Sequence, residues 1–202
     1  MYLFIESIKI EHFRPCLLDY HQKRVNETFH HWKGKGGIPN LMEIASSIKI
    51  PSREVYKLRI LYNLDGNFKT EIIKYSYPEI KTFELVEAPE LDYRFKYADR
   101  VAITQLKKES SADEIIITQN GKITDTSFSN LVFFNPDKGW ATPKTYLLNG
   151  VQRRFLLQQK LIYEADITVE NLKDYSAFRL INALLPISMG ETYSTSSVGF
   201  RQ

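Results

Sequence analysis

Two hairpin signals restrict the fold of this chain more than any other feature of its sequence. The first is Leu64-Asp65-Gly66-Asn67, which joins strand-like runs at 54–64 and 68–76, and the second is Asn120-Gly121, after a run at 114–119. Aspartate–glycine and asparagine–glycine pairs adopt the positive backbone angles that tight hairpin turns require. Antiparallel strand pairs are therefore expected in both halves of the sequence.

Hydrophobic periodicity predicts the remaining elements and a division into two domains. We expect helices at 17–32, 40–47, about 95–109 and 150–161, a helical turn at 169–174, and strands at 2–10, 81–87, 130–134, near 140, 162–168 and 177–184. The stretch Ala88-Pro89-Glu90-Leu91-Asp92 has the composition of a linker. The sequence therefore predicts a small α/β domain over residues 1–87, a linker at 88–92 and a larger mixed domain over 93–202.

Composition argues against several classes of function. The formal charge is +3, from 27 basic and 24 acidic residues, and the basic residues are too scattered for a nucleic-acid surface. No apolar run approaches the ~20 residues that span a bilayer, and the N-terminus lacks the basic start of a signal peptide. The single cysteine cannot form an internal disulfide, and the four histidines lack metal-ligand spacing. We expect a cytoplasmic protein that binds no membrane, nucleic acid or metal.

Four polar segments are candidates for a functional site, and each also has a plain structural explanation. Lys96 follows an aromatic-rich stretch where the linker meets a predicted helix, although most lysines are simply solvated. A lysine that forms a Schiff base needs such a partly desolvated position. Asp125 follows the second hairpin turn, among small polar residues before a buried strand. Its carboxylate could pair with a cofactor ring nitrogen or hydrogen-bond to its own backbone.

The other two segments contain groups that suit a phosphate. Gly150 precedes an apolar helix in Asn149-Gly150-Val151-Gln152-Arg153. A bare helix start offers N–H groups and the positive end of the helix dipole to an anion. Asn149 could instead serve as an ordinary N-cap. Arg24, on the first predicted helix, could clamp a phosphate or lie on the surface.

In this order, the segments resemble the fold-type IV enzymes that depend on pyridoxal 5'-phosphate (PLP). These include branched-chain and D-amino-acid aminotransferases and aminodeoxychorismate lyase. Six motifs, in the family's order, carry the resemblance from residue 4 to about residue 187. They are Phe4-Ile5-Glu6-Ser7-Ile8-Lys9, His21-Gln22-Lys23-Arg24-Val25, Phe95-Lys96-Tyr97-Ala98-Asp99-Arg100, Thr124-Asp125 with Ser129-Asn130-Leu131-Val132-Phe133, Thr142-Pro143 with Leu148-Asn149-Gly150-Val151-Gln152-Arg153, and Asn182-Ala183-Leu184.

The resemblance implies an α+β fold like that of D-amino-acid aminotransferase, with a small α/β domain and a larger pseudo-barrel domain, usually in a homodimer. Lys96 would hold PLP as a Schiff base and shuttle protons, and Asp125 would face the pyridine nitrogen. The other positions implied to bind the cofactor are Arg24, Ser129, Asn130, Gly150, Val151, Gln152, Asn182 and Ala183. The family usually has glutamate at the position of Asp125, so the shorter side chain withdraws the carboxylate by about one C–C bond length.

The reaction is chosen on smaller signals within the same motifs. The Lys96-to-Arg100 spacing and the Asn182-Ala183-Leu184 segment resemble the lyase more than the branched-chain aminotransferases. We therefore expect a lyase that acts on a small amino substrate, eliminating pyruvate from 4-amino-4-deoxychorismate to leave 4-aminobenzoate for folate synthesis. Arg59 and Arg100 are candidates to receive substrate carboxylates. The alternatives are a branched-chain or D-amino-acid aminotransferase and a PLP-free protein that binds a partner.

Overall fold

The computed structural model describes residues 3–200 and divides into two compact units. The first unit contains the residues up to Tyr77 and the segment Phe95–Asp99. The second unit contains Pro78–Arg94 and the residues from Arg100 onward. Each unit has its own sheet and its own hydrophobic core.

A four-stranded antiparallel sheet, in the order β2-β1-β3-β4, forms the first unit. Along β1 and β3 buried residues alternate with less buried ones, so one face of the sheet carries the apolar side chains. Val25 and Phe29 from the first helix join these side chains in one core cluster. The elements are β1 (Phe4–Glu11), β2 (Arg14–Pro15), α1 (Leu18–His31), α2 (Leu41–Ser47), β3 (Tyr56–Tyr62) and β4 (Phe68–Lys74).

Both predicted hairpin turns are present. Tyr62 pairs with Phe68 across the first turn, where Gly66 has a φ of 83°. Across the second turn the strands close around Asn120 and Gly121, whose φ angles are 52° and 72°. Positive φ strains most side chains, which explains why glycine and asparagine occupy these turns.

The segment Phe95–Asp99 returns the chain to the first unit by pairing with β1. The Ile5 N–H donates to the Lys96 carbonyl at 2.9 Å, and a neighbouring bridge joins Phe4 to Tyr97, whose rings stack with centroids 5.7 Å apart. The predicted helix over 95–109 is therefore wrong at its start. Helix α3 spans Val101–Lys108, because the backbone before it bonds to β1 instead of forming a helical turn.

Nine strands form one mixed sheet in the second unit. Its order is β10-β9-β8-β7-β6-β5-β13, with β11 paired to β8 and β12 paired to β11. The strands are β5 (Phe83–Glu87), β6 (Glu114–Gln119), β7 (Lys122–Thr126), β8 (Asn130–Asn135), β9 (Gly139–Pro143), β10 (Tyr163–Ala165), β11 (Ala177–Ile181), β12 (Tyr193–Ser194) and β13 (Val198–Phe200). The second unit also contains α3, α4 (Val151–Gln158) and 3-10 turns at Leu172–Asp174 and Thr195–Ser197.

The boundary between the units differs from the predicted one. Strand β5 belongs to the second unit because it pairs in parallel with β6, from Phe83 opposite Glu114 onward. The division therefore falls after Tyr77 rather than after residue 87, and residues 88–92 lie inside the second unit. The sequence predicted no range for strands β2, β7, β12 and β13. Residue 2 of the predicted first strand and residues 201–202 of the predicted second domain lie outside the described part of the chain.

No helix within residues 3–200 combines the length and the apolar character needed to cross a membrane.

Candidate active site

Lys96 lies in the first unit, half-buried, in the extended segment that pairs with β1. Its two neighbours in sequence make aromatic contacts. Tyr97 stacks on Phe4, and the ring centroids of Phe95 and His31 are 4.6 Å apart. The main-chain bond to Ile5 and these two rings fix the position of the lysine Cα. Sequence reasoning expected Lys96 at the start of a helix, whereas the structure has it beside a strand.

A buried cluster of Glu6, His21 and Arg24 lies in the same unit. Arg24 donates from Nε to Glu6 Oε1 at 2.8 Å and from Nη2 to Oε2 at 2.6 Å. His21 Nδ1 lies 2.5 Å from the same Oε2. The exposed fraction is 0% for Glu6 and His21 and 5% for Arg24. His21 and Arg24 are three positions apart on α1, so both lie on the helix face that covers the sheet. Arg24 is therefore buried, and the alternative that it lies on the surface is wrong.

Charged partners keep Glu6 ionised in spite of its burial. Burial acts to raise the pKa of Glu6, but the Arg24 guanidinium and the hydrogen bonds from His21 and Arg24 outweigh it and lower that pKa to about 2. Burial lowers the pKa of His21, and its hydrogen bond to Glu6 opposes this only in part. The cluster therefore holds a carboxylate, a guanidinium and a neutral imidazole.

Asp125 lies on β7 of the second unit, buried, and it holds the loop that precedes α4. Its Oδ1 accepts a hydrogen bond from Asn130 Nδ2 at 2.8 Å. Its Oδ2 accepts from the backbone N–H groups of Leu147 at 3.1 Å and Leu148 at 2.8 Å. Asn130, the first residue of β8, also donates to the Leu148 carbonyl at 2.8 Å. Protein donors thus use three of the roughly four acceptor positions of the carboxylate.

The surroundings of Asp125 make it a weak acid. Burial raises the pKa of Asp125 to about 7, because the hydrogen bonds from Leu148 and Asn130 and the charge of Arg153 offset the desolvation only in part. A carboxyl group that titrates near neutrality can hold or release a proton under ordinary conditions. Such shifted groups concentrate at functional sites.

Gly150 lies directly before α4 and packs against Asn130. A Cβ at this position would overlap Asn130 Oδ1, so only glycine permits the approach. Gly150 is the N-cap residue, and no side chain caps the helix, which removes the alternative of Asn149 as an N-cap. Val151 and Gln152 begin α4 and are buried. The uncapped start offers N–H groups and the positive end of the helix dipole to an anion.

Ser129 and Asn182 meet at the ends of two adjacent strands, β8 and β11. Asn182 Nδ2 donates to Ser129 Oγ at 2.8 Å, and its Oδ1 accepts from the N–H groups of Leu184 and Leu185 at 2.8 and 2.9 Å. Ala183 lies half-buried within this turn. The predicted strand over 177–184 ends at Ile181, because the Asn182 side chain bonds to the backbone that would have continued the ladder.

The two arginines predicted to bind substrate have protein partners. In the second unit, Arg100 is half-buried before α3 and donates from Nη2 to the Ser127 carbonyl, while the Ser127 hydroxyl donates to Glu114 at 2.9 Å. In the first unit, Arg59 on β3 forms a partly exposed ion pair with Glu71 at 3.3 Å. Arg100 therefore contacts the loop between β7 and β8, whereas Arg59 takes part in an ordinary cross-strand pair.

Sequence reasoning gave no role to Glu6, His21 or Arg153, although all three are buried. Glu6 had a detectable signal, because it occupies the apolar face of an alternating strand. Arg153 donates to the Pro143 carbonyl at 3.0 Å and to Glu164 at 2.5 Å, which braces the loop before α4. No periodicity predicts that role, since its partners come from other elements.

Each unit contains groups that fit one or more chemical requirements of PLP. Lys96 supplies a half-buried primary amine, which can form a covalent bond with an aldehyde. Gly150 has no Cβ, so the start of α4 can lie close to Asn130. The backbone N–H groups at this uncapped start are donors for a phosphate. Asp125 retains one acceptor position for a pyridine N–H.

Residues 3–189 match the family model for class IV amino-transferases. An uncharacterised protein of Haemophilus influenzae is 33% identical over 188 residues, which cover 91% of this chain and 98% of the relative. A crystal structure from Haemophilus somnus, of a protein provisionally named 4-amino-4-deoxychorismate lyase, is 32% identical and superposes with a TM-score of 0.85 over 93% of this chain and 98% of that chain.

More distant structures share the fold. A Mesorhizobium loti protein, provisionally named an amino-acid aminotransferase, superposes over the full length of both chains with a TM-score of 0.82 at 20% identity. The PLP-bound form of a hypothetical Mycobacterium tuberculosis aminotransferase superposes with a TM-score of 0.74 at 12% identity, over 95% of this chain and 80% of that chain. The predicted fold class is confirmed, and the chain belongs to the class IV aminotransferase family of PLP-dependent enzymes.

Proposed function

We propose that this chain is a PLP-dependent lyase that eliminates pyruvate from 4-amino-4-deoxychorismate and leaves 4-aminobenzoate for folate synthesis. The observation that carries the proposal is the 32% identity, over nearly the whole chain, to the Haemophilus somnus protein that has this provisional name. The Lys96-to-Arg100 spacing supports the same choice. An amino-acid aminotransferase is the second candidate, favoured by the family to which the chain belongs.

Lys96 would hold the cofactor covalently and then serve as the general base. When bound, PLP supplies an electron-withdrawing ring that stabilises the charge left on the substrate α-carbon. Once the substrate amine has displaced it, the Lys96 amine would accept the proton from that carbon. The pairing with Ile5 and the packing of the flanking rings support this role, because they hold the backbone of the lysine in place.

Asp125 would pair with the pyridine nitrogen through Oδ1. This oxygen accepts one hydrogen bond, from Asn130, whereas Oδ2 accepts two from the loop backbone. Oδ1 therefore has capacity for a second donor. A protonated ring nitrogen at that position would favour the ionised form of the carboxyl group, whose pKa burial raises to about 7.

The phosphate would be held by two kinds of donor. The backbone N–H groups of Val151 and Gln152 lie at the uncapped start of α4, which Gly150 opens. By the family resemblance, Arg24 would add a guanidinium, a charged donor group that suits a phosphate dianion. The turn at Asn182-Ala183 and its partner Ser129 would complete the contacts, with Asn130 fixing the loop before the helix.

The lyase and the aminotransferase would differ only after the α-proton has left. A lyase expels a leaving group, and formation of the aromatic product drives the reaction forward. An aminotransferase would instead retain the amino group of its first substrate and would then require a second, keto-acid substrate to accept it. Arg100 is the proposed partner of a substrate carboxylate, because a guanidinium can bind it through two parallel hydrogen bonds, and Arg59 is the weaker candidate.

Covalent attachment of PLP is tested first. The purified chain is saturated with PLP, its absorbance is recorded, and it is reduced with borohydride for peptide mapping. We expect the pyridoxyl adduct on Lys96, no adduct and no turnover in Lys96→Ala, and both retained in Lys108→Ala, an exposed lysine on α3. An adduct elsewhere contradicts the assignment, and no adduct at all favours the PLP-free, partner-binding alternative.

The reaction is tested with 4-amino-4-deoxychorismate, made in situ from chorismate and an ammonia source by the synthase. We expect 4-aminobenzoate to form above the enzyme-free rate without any keto acid. Absence of that product, together with steady amino-group exchange between a branched-chain or D-amino acid and a keto acid, would establish the aminotransferase instead.

We also propose that the protein forms a homodimer, as the resemblance to the PLP-dependent family implies. The single cysteine, which cannot form an internal disulfide, supports a cytoplasmic location. Light scattering coupled to size-exclusion chromatography should give twice the mass of one chain. A mass equal to that of one chain would contradict the dimer.

A further inference from the structure

The Glu6–His21–Arg24 cluster contains more polar groups than a stable core requires. A buried ion pair rarely stabilises a fold more than apolar side chains of the same size, because the cost of desolvation offsets the attraction. His21 Nε2 adds a second cost, since it is buried with no hydrogen-bond partner in the described part of the chain. Stability therefore does not explain the cluster, which points to a role in positioning.

Glu6 fixes the plane of the Arg24 guanidinium. Its two carboxylate oxygens accept separately from Nε and Nη2 of Arg24, at 2.8 and 2.6 Å, in the paired geometry that restricts rotation of the group. Glu6 itself is held rigidly, because it lies in β1 opposite Ile60 of β3. The strand therefore sets where the carboxylate lies, and the carboxylate sets where the guanidinium lies.

His21 holds the carboxylate of Glu6 in turn. An ionised carboxylate only accepts hydrogen bonds, so the proton between it and His21 must lie on Nδ1, which donates to Oε2 at 2.5 Å. This bond explains why His21 is in the core despite its partnerless Nε2. With His21 in place, Glu6 cannot rotate away from Arg24 without leaving a buried N–H group unsatisfied.

We propose that Glu6, held by His21, is a positioning residue that orients Arg24 for binding the phosphate of PLP. The inference rests on the proposed function, because it requires Arg24 to bind that phosphate. Glu6 and His21 act through the guanidinium and do not themselves bind the cofactor. Their removal should therefore weaken the binding of PLP much more than that of pyridoxal, which has the same aldehyde and ring but no phosphate.

The test is the preference for PLP over pyridoxal, measured as the ratio of the two dissociation constants by absorbance titration. Glu6→Gln should lower this preference by about tenfold relative to the parent. Glu11→Gln is the matched control, since Glu11 lies on the same strand and pairs with the buried Lys9 at 3.0 Å. The control should keep the preference of the parent. Equal loss of affinity for both compounds in Glu6→Gln would overturn the proposal.

A double-mutant cycle separates positioning from general structural damage. If Glu6 acts through Arg24, Glu6→Gln should have no further effect on the preference once Arg24→Ala is present. A similar loss of preference in the two backgrounds would show that Glu6 acts by another route and would overturn the inference.

If Glu6→Gln does not fold, two variants of His21 test the same positioning role. His21→Asn retains an N–H donor near the position of Nδ1, whereas His21→Leu removes it. The asparagine variant should keep the preference for PLP and the leucine variant should lose part of it. Equal preference in both, with the Lys96 adduct intact, overturns the inference alone. A parent protein that binds neither compound overturns the proposed function together with it.

Discussion

Each unit buries a carboxylate among its candidate site residues, and the two carboxylates have opposite pKa shifts. Glu6 in the first unit and Asp125 in the second are both almost inaccessible to water, and each accepts three hydrogen bonds. Burial acts to raise the pKa of both. Arg24 and His21 nevertheless lower the pKa of Glu6 to about 2, whereas the pKa of Asp125 is raised to about 7.

For these two carboxylates, the charge of the donors therefore matters more than their number. A guanidinium compensates the charge of a carboxylate directly, while amide N–H groups replace only part of the lost hydration. Glu114 supports this conclusion, because burial raises its pKa although the backbone of Ile115 and both donors of Ser127 bond to it. Glu6 is therefore suited to hold a fixed charge, and Asp125 is suited to exchange a proton near neutrality.

The largest expected effect comes from breaking the charged pair in the first unit. Glu6→Leu should lower the free energy of unfolding by about 3–5 kcal/mol, because it leaves the buried Arg24 without its carboxylate. Urea denaturation at pH 7 measures the loss. The double variant Glu6→Leu/Arg24→Met should recover part of it, since no buried charge then remains, while the His21 Nδ1–H still lacks its acceptor. A double variant as unstable as the single one would attribute the loss to packing instead.

The next effect tests the weakly acidic Asp125 in the second unit. Its pKa is higher in the folded than in the unfolded chain, so its contribution to stability is complete below pH 4 and is lost as the pH rises towards 7. At about 1.4 kcal/mol per pKa unit, this loss amounts to roughly 2–4 kcal/mol. Asp125→Asn cannot ionise and should lack this part of the pH dependence in urea denaturation from pH 4 to 8. An unchanged pH profile in the variant would refute the shift.

A smaller effect is expected where Asn130, the partner of Asp125, packs against a glycine. Gly150→Ala should destabilise the protein by about 1–3 kcal/mol, because its Cβ would push Asn130 away from Asp125 and Leu148. Thermal denaturation of the variant measures this cost. Gly37→Ala is the control, since a Cβ there meets no atom within 4 Å. Equal melting temperatures for the two variants would contradict the packing argument.

The smallest effect is expected for a charged pair that water reaches. The Arg59–Glu71 pair on β3 and β4 is partly exposed, so Arg59→Ala should cost only about 0.2–1 kcal/mol, and less in high salt. Urea denaturation at two salt concentrations measures it. A loss of unfolding free energy as large as that of Glu6→Leu would contradict the expectation that exposed pairs contribute less than buried ones. A large rise in KM without loss of stability would instead favour Arg59 as a substrate ligand.

Local signals in the sequence were sufficient for much of the fold. The helix predicted at 17–32 is observed at Leu18–His31, and the strand predicted at 114–119 is observed at Glu114–Gln119. Both depend on the spacing of apolar residues within a few positions. The turn at Asn120-Gly121 likewise depends on the backbone preferences of two adjacent residues.

Contacts between distant residues account for what the sequence did not predict. The segment around Lys96 is extended because it bonds to Ile5, and β13 is a strand because Val198 pairs with Phe83. The orientation of Asp125 is likewise set by Leu147 and Leu148, more than twenty positions away. No local pattern contains such partners, so the motif around Asp125 does not reveal that Oδ2 accepts two hydrogen bonds and Oδ1 only one.

The pairing of Phe95–Asp99 with β1 has a consequence for the synthesis of the chain on the ribosome. Strands β1 to β4 emerge first, but the edge of β1 near Ile5 stays unpaired until Lys96 has been made, after residues 78–94 of the second unit. An unpaired strand edge in a growing chain is a site at which another chain can add. The step that closes this edge is also the one that carries the lysine to its final position, so a nascent chain acquires its candidate reactive amine and loses its exposed edge together.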